Sequence, residues 1–205
     1  MKDNLLLIIA IAAVCVSLIA AGMTYFFITN LAYTLTGYDT LGQANLTVES
    51  SAAINFTTSY ISWGSGRVSV GTTAQLTTLE TGNVSGGNWT LAQSGGLRIE
   101  NVGNVNVTLN LSVGKSAASF IGGTSPGYQW NISNVNPSSC LNDSGRQIVA
   151  LNVFFDTSTA TRTVCSPFQF GGSNDHIRID LNLTIPENSL TGALTDTITA
   201  GVYTY

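Results

Sequence analysis

A run of uncharged, mostly aliphatic residues begins at Leu5 and constrains this chain more than any other feature. The segment LLLIIAIAAVCVSLIAAGMTYFFI holds no charged side chain, and the next strongly charged residue after Asp3 is Asp39. A membrane-spanning helix needs about 20 such residues. Continued to Leu35, a helix of about 31 residues measures roughly 46 Å, against about 30 Å for a hydrocarbon core. The sequence therefore predicts a helix that spans a membrane and projects beyond it.

Basic residues give the expected orientation of this helix. Lys2 is the only basic residue before Arg67. Positive charge flanks membrane helices on the cytoplasmic side. We therefore expect a cytoplasmic N-terminus, with the rest of the chain at the cell surface.

Small residues recur along one side of the predicted helix. Ala13, Ser17 and Ala21 are spaced four apart, which places them on one face. Small side chains let two helices approach closely in an apolar medium. This face is a candidate surface for packing against copies of the same chain, which would lie in the membrane before assembly.

A cleaved secretory signal is the alternative interpretation of the same segment. Lys2, an apolar stretch from Leu5 to about Leu18, and the small residues Ala20-Ala21-Gly22 fit that pattern. However, the hydrophobic sequence resumes at once with MTYFFI. A helix that is uncleaved, or processed just before it begins, is the preferred interpretation, and cleavage after Gly22 stays open.

Beyond the helix the pattern changes to short alternating stretches separated by Gly, Asn, Ser and Pro. In NVTLNLSV, residues 106–113, every second side chain is aliphatic, and IRIDLNLTI, residues 177–185, has the same alternation. Such alternation is typical of strands with one buried and one solvated face. Outward positions include Thr108, Asn110, Asp180 and Asn182. We predict an N-terminal helical unit over residues 1–38 and an extracellular β domain over residues 39–205.

Ten short segments have strand character in all. The other eight are Leu46–Val48, Ile54–Trp63, Arg67–Val70, Ala74–Leu79, Leu97–Val102, Ile148–Phe155, Thr161–Val164 and Asp196–Tyr203. Ten short strands separated by turn signals predict a mainly β protein with an immunoglobulin-like antiparallel β-sandwich.

Cys140 and Cys165 are the two cysteines outside the apolar run, which contains Cys15. A disulfide between them would close a loop of about two dozen residues. In an oxidising compartment this pairing is the expected one, and two buried thiols are the alternative.

The β region is rich in Asn-X-Ser/Thr sequons, the acceptor motif for N-linked glycans. They occur at Asn45, Asn55, Asn83, Asn88, Asn106, Asn110, Asn131, Asn142 and Asn182. Asn106, Asn110 and Asn182 fall on the outward faces deduced from the alternation. N-linked glycans are therefore expected partners of this chain.

Charge argues against nucleic acid as a partner. Charged residues make up 9% of the chain, and the seven Lys and Arg residues are scattered. Nucleic-acid binding needs clustered basic residues that displace counterions from phosphates. With so few charges, solubility depends on uncharged polar groups or glycans, which favours an extracellular location.

No pattern in the sequence predicts an enzyme, a cofactor or a metal. His176 is the only histidine, and its polar neighbours indicate a loop. No motif for a serine nucleophile or a zinc site occurs. Isolated acids such as Asp175 and Asp180 are interpreted as solvated rather than as calcium ligands.

Aromatic residues leave one binding alternative. Trp63, Trp89, Trp130, Tyr60 and Tyr128 are suited to stacking on carbohydrate rings. The favoured interpretation places them in the core of the sandwich.

The whole layout, an apolar helix longer than a bilayer that leads into a Thr-, Asn- and Gly-rich β domain, resembles archaeal type IV pilins and archaellins. The resemblance implies a filament subunit whose helix packs in the filament core while a glycosylated β domain coats the outside. The segments LRIENVGNVNVTLNLS and LNLTIPENSLTGALTDTITAGVY also resemble camelysin-type fibre proteins, which polymerise by strand donation.

Two functions therefore stand as hypotheses. The first is a structural subunit of a cell-surface filament, assembled through Ala13, Ser17 and Ala21. The second is a singly anchored or secreted surface or adhesion protein, including donor-strand fibre proteins.

Overall fold

A computed structural model describes residues 2–34, 46–92, 95–142 and 150–204 of the chain. The chain divides into two compact units, Met1–Thr47 and Val48–Tyr205. The predicted boundary between residues 38 and 39 lies outside the described residues.

The first unit contains one long helix, α1, which runs over Lys2–Thr34 and has 33 residues. Its stretch Ile8–Ile28 is long and apolar enough to cross a membrane. All side chains described between residues 4 and 28 are exposed. A helix that is apolar on all sides is stable only where lipid or other helices surround it.

The described residues of the second unit form ten strands and one short helix, α2, at Ala117–Phe120. The strands are β1 Ile54–Thr58, β2 Thr73–Thr77, β3 Asn83–Ser85, β4 Leu97–Asn101, β5 Val107–Val113, β6 Gly127–Asn134, β7 Phe155–Asp156, β8 Arg162–Phe168, β9 His176–Pro186 and β10 Ile198–Thr204.

Strand β9 organises the larger, seven-stranded antiparallel sheet. One edge of β9 pairs with β6 along eight residues, from Ile177 to Thr184. The other edge is shared, because β4 pairs with residues 176–179 and β2 pairs with residues 182–186. Strand β1 extends the sheet beyond β4, β3 extends it beyond β2, and β7 extends it beyond β6.

The smaller sheet has the order β10-β5-β8. Pro167 lies in β8, an edge strand of this sheet, where its missing N–H is tolerated.

The aliphatic side chains of β5 and β9 point to one core, which includes Leu109, Leu111, Ile177 and Ile179 at 0% exposure. Trp130 of β6 is equally buried there. The prediction of an N-terminal apolar helix followed in the sequence by a mainly β, sandwich-like antiparallel fold is therefore confirmed.

Some strand predictions were wrong. Residues 46–48 and 67–70 form no strand, although Val68 makes a single bridge to Gly87. Two observed strands, β3 and β6, were not predicted. Residues 148 and 149 lie outside the described residues, and only Phe155 of the segment predicted at 148–155 belongs to a strand, β7.

The prediction that every second residue of β5 and β9 faces solvent was also wrong at two positions. Thr108 and Asp180 are both 0% exposed. Thr108 forms a 2.9 Å hydrogen bond to the Ser166 hydroxyl of β8. Asp180 accepts from Thr78, which lies in the segment between β2 and β3. The outward faces of both sheets are thus partly covered by their own polar neighbours.

Candidate functional site

The predicted packing face of α1 is accessible along its length. Ala13, Ser17 and Ala21 are exposed. The Ser17 hydroxyl donates to the Ala13 carbonyl at 2.9 Å, and the Thr24 hydroxyl donates to the Ala20 carbonyl at 2.8 Å. Because both hydroxyl protons are bonded to carbonyls of the helix itself, the face presents small side chains and no free hydroxyl donor.

Cys140 and Cys165 are joined by a disulfide, with their Cα atoms 5.6 Å apart. Both residues are buried. The side chain of Asn134, the last residue of β6, forms two hydrogen bonds with the backbone of Cys140. Cys140 N donates to Asn134 Oδ1 at 2.8 Å, and Asn134 Nδ2 donates to the Cys140 carbonyl at 3.2 Å. The disulfide therefore connects the segment that follows β6 to β8 of the smaller sheet.

Eight of the nine sequons fall on described residues, and they differ in accessibility. Asn55, Asn83, Asn88 and Asn142 are exposed. Asn106, Asn110 and Asn182 are half-buried. Asn45 lies outside the described residues. The exposed group offers acceptor side chains on the surface of the folded domain.

The half-buried asparagines already take part in hydrogen bonds. Asn110 Oδ1 accepts from the Thr163 hydroxyl at 2.9 Å, and Asn182 Nδ2 donates to Gln129 Oε1 at 3.3 Å. Nδ2 is the atom to which an N-linked glycan is attached. Glycosylation of Asn182 would replace one of the two Nδ2 hydrogens and leave only the other to donate to Gln129.

Asn131 is the least exposed of the described sequon asparagines. It pairs with Asp180 across β6 and β9, and it is only 3% exposed. A glycan on Asn131 would have to occupy space that the folded domain fills. We therefore expect this sequon to be unoccupied in the folded protein.

Asp180 is the centre of a buried polar network on the outer side of β9. Its Oδ1 accepts from the Thr78 hydroxyl at 2.9 Å and from Arg178 Nε at 2.9 Å. Among the described residues, Oδ2 of Asp180 and Oδ1 of Asn131 have no hydrogen-bond partner. Burial raises the pKa of Asp180 above its ordinary value, and the bonds from Arg178 and Thr78 offset only part of this effect.

A second ionisable cluster lies at the start of β9, where Glu100, Asp175 and His176 bring potential metal ligands within 4.8 Å of one another. His176 is the first residue of β9, so the prediction of a loop residue was wrong. It pairs in register with Glu100 of β4. Asp175 is 4% exposed, so its interpretation as a solvated acid was also wrong.

Distances within this cluster define how the imidazole is held. His176 Nδ1 lies 2.6 Å from Asp175 Oδ1, and His176 Nε2 lies 3.6 Å from Glu100 Oε2. The side chains of His176 and Glu100 are 27% and 30% exposed, against 5% for Asp175. One ring nitrogen is thus held by a buried carboxylate, and the other faces a solvent-accessible one.

Ser139 lies nearby but does not complete a Ser–His–Asp catalytic arrangement. Its hydroxyl donates to the Asn136 carbonyl at 2.8 Å and accepts from the backbone N of His176 at 3.3 Å. Nucleophilic activation needs a bond from the hydroxyl to the imidazole ring. The hydroxyl of Ser139 instead fixes the backbone at the start of β9.

The aromatic residues divide between core and surface. Trp130 and Tyr128 are buried, Trp63 and Trp89 are half-buried, and Tyr60 is exposed. Trp130 packs edge-on against Phe155, with ring centroids 5.7 Å apart. Burial raises the pKa of the Tyr128 hydroxyl, and the neighbouring Asp196 adds to that shift. Trp130 and Tyr128 are therefore unavailable for stacking on a carbohydrate.

The sequence did not predict the Glu100–Asp175–His176 cluster. Glu100 is separated from His176 by 76 positions (176 - 100), and only the register of β4 against β9 brings them together. The one available signal was the Asp-His pair placed directly before an alternating strand. Comparison with protein-family models, curated proteins and solved structures finds no match to this chain.

Proposed function

We propose that this chain is a structural subunit of an extracellular cell-surface filament. In this proposal the α1 helices of many copies pack in the filament core, and the β domains form its outer surface. The observation that carries the proposal is α1 itself, a 33-residue helix that contains the apolar stretch Ile8–Ile28, in which every side chain is exposed.

The length of α1 supports assembly as well as anchoring. Its 33 residues measure about 50 Å at 1.5 Å per residue. The stretch Ile8–Ile28, with 21 residues, is already sufficient for a bilayer core of about 30 Å. The remaining turns make α1 longer than a bilayer core requires.

The face formed by Ala13, Ser17 and Ala21 supports close contact between copies. Cys15 lies about 160° around the helix from Ser17, on the opposite side. Bulk added to the two sides should therefore have different consequences if one side contacts a neighbouring helix. In a helix that only anchors the chain, lipid accommodates added bulk equally on either side.

The β domain fits the outside of such a filament. Its disulfide is typical of an oxidising compartment. Its exposed sequons, such as Asn55, Asn83 and Asn88, would carry glycans on the outer surface. No catalytic role is proposed, and no cofactor or nucleic-acid partner belongs to this function.

A singly anchored or secreted surface protein is the second candidate. Ala20-Ala21-Gly22 keeps cleavage of the helix possible. N-terminal sequencing of the mature protein separates the cases, because Met23 as first residue would mean that most of α1 is lost. Such a product would overturn assembly through Ala13, Ser17 and Ala21.

The direct test shears surface appendages from the source cells and analyses them by mass spectrometry. The proposal expects this chain among their major subunits, and its absence would overturn it. A matched pair of variants, Ala13→Leu and Cys15→Leu, then tests the packing face. Only Ala13→Leu should reduce filament yield, while both variants should insert into membranes as the unmodified chain does.

A further inference from the structure

We propose that Glu100, Asp175 and His176 form a binding site for a divalent transition metal ion, for which Zn²⁺ is the probe. His176 Nε2 and the Glu100 carboxylate act as the protein ligands. Asp175 orients the imidazole through its hydrogen bond with His176 Nδ1. Water completes the coordination on the open side of the site.

The hydrogen bond to Asp175 determines which ring nitrogen is available. At 2.6 Å from a carboxylate oxygen, His176 Nδ1 must carry a proton. Asn136 Nδ2 lies 3.3 Å from Asp175 Oδ1 and 3.5 Å from Nδ1, and both contacts are much longer than the 2.6 Å contact between Nδ1 and Asp175 Oδ1. In the neutral imidazole the lone pair therefore lies on Nε2.

That lone pair faces another acceptor. Glu100 Oε2 lies 3.6 Å from Nε2, and an ionised carboxylate has no proton to donate. Two facing acceptors repel each other unless a cation lies between them. Two ligands bound at about 2.0–2.1 Å in tetrahedral geometry are about 3.4 Å apart, close to the observed separation.

The surroundings also resemble those of metal-binding histidines in general. A histidine that binds a metal usually donates its other ring N–H to a carboxylate, which fixes the tautomer. Asp175 supplies that contact, and it is 4% exposed. A nearby divalent cation would balance this buried charge.

The backbone around the cluster is held in place. Asn101 N donates to the Asp175 carbonyl at 2.9 Å, and Val135 N donates to the His176 carbonyl at 3.0 Å. Glu100 and His176 are a register pair in the sheet. Ligands on such rigid elements need little rearrangement to bind an ion.

The test uses the full chain in detergent with the substitution Cys15→Ser, because a free thiol also binds zinc. The purification tag must contain no histidine. After treatment with a chelator, Zn²⁺ alone is titrated calorimetrically into the protein. One ion per chain is expected to bind. Absence of binding would overturn the proposal and leave a proton as the only cation between Nε2 and Glu100.

Variants locate the site. Glu100→Gln and His176→Gln should each weaken zinc binding at least tenfold, and Asp175→Asn should weaken it roughly 10–100-fold. Asp156→Asn is the matched control, because Asp156 is an exposed acid on β7 of the same sheet, and it should leave the affinity unchanged. Equal affinities in all four variants would overturn the assignment.

NMR provides an independent readout. His176 is the only histidine in the sequence, so its imidazole signals need no assignment. Zinc should shift the Nε2 resonance while Nδ1 stays protonated. A shift of Nδ1 in place of Nε2 would contradict the proposed ligand arrangement.

Discussion

Thr78 and Leu181 are joined by two hydrogen bonds that close a gap in the larger sheet. Thr78 N donates to the Leu181 carbonyl at 3.0 Å, and Leu181 N donates to the Thr78 hydroxyl oxygen at 2.9 Å. The gap exists because β2 ends at Thr77 and β4 begins to pair with β9 only at Ile179. A side-chain oxygen thus replaces the carbonyl that a continuous neighbouring strand would supply.

Thr78→Val should therefore destabilise the β domain by about 1–3 kcal/mol, because valine keeps the shape but leaves the buried Leu181 N–H without an acceptor. Asp180 loses a donor in the same variant. Denaturant unfolding, followed by tryptophan fluorescence, measures the change. Thr73→Val, at an exposed position of β2, is the control and should stay within about 0.5 kcal/mol. Equal effects of the two substitutions would refute this role for the hydroxyl.

Two adjacent glycines next to the same network should respond differently to alanine. Gly96 has a φ of +81°, and a Cβ there would lie 2.7 Å from Asp180 Oδ1 and 2.8 Å from the Ile179 carbonyl. A Cβ on Gly95 would meet nothing closer than the Glu80 carbonyl, at 3.8 Å.

We expect Gly96→Ala to lower the free energy of unfolding by about 1–3 kcal/mol. Gly95→Ala should change it by less than about 0.5 kcal/mol. Chemical denaturation of the two variants in parallel makes the comparison. If Gly95→Ala lowers the free energy of unfolding more than Gly96→Ala does, the close approach of Gly96 to Asp180 does not limit stability.

The core-facing pattern of β5 and β9 could be predicted because alternating aliphatic residues leave only one face able to be buried. The outward face was less predictable. Whether Thr108 or Asp180 meets water depends on Ser166 and Thr78, which lie 58 and 102 positions away. Local alternation contains no information on such distant neighbours.

Strand β6 shows a different limitation. Tyr128, Trp130 and Ile132 alternate with polar residues and are buried. A sequon predicts an accessible asparagine, and here the sequon lies within the alternating stretch. Asn131 is in the middle of a central strand, where a residue is accessible only if nothing covers its face.

The raised pKa of Asp180 leads to a pH-dependent prediction. A carboxyl whose pKa is higher in the folded state favours folding when it is protonated. Its contribution is complete below the unfolded pKa of about 3.9 and is lost as the pH rises through the folded pKa.

The stability of the unmodified chain relative to Asp180→Asn should therefore fall as the pH rises from about 4 towards neutrality. Unfolding curves of both proteins at several pH values give this difference. Parallel profiles for Asp180→Asn and the unmodified chain would contradict the assigned pKa direction.

Accessibility predicts which sequons carry glycans. Asn55, Asn83 and Asn88 should be modified in protein isolated from its source, because their side chains are exposed. Asn131 should be unmodified. Complete tryptic cleavage leaves Asn131 and Asn142 on one peptide, between Lys115 and Arg146, so fragmentation must localise any glycan on it. A glycan on Asn131 in the folded protein would show that β6 is not buried as described.

Removal of the disulfide should be the most destabilising of these changes. Cys140 and Cys165 are 25 positions apart, and closing a loop of that size stabilises a fold by about 3–4 kcal/mol in the chain-entropy model. The paired substitutions Cys140→Ala and Cys165→Ala should lower the free energy of unfolding by about that amount, whereas Cys15→Ser should leave it unchanged. Urea unfolding under non-reducing conditions provides the comparison. A loss below about 1 kcal/mol would mean that Asn134 and the bridge between Cys140 and Phe168 hold the loop without the covalent bond.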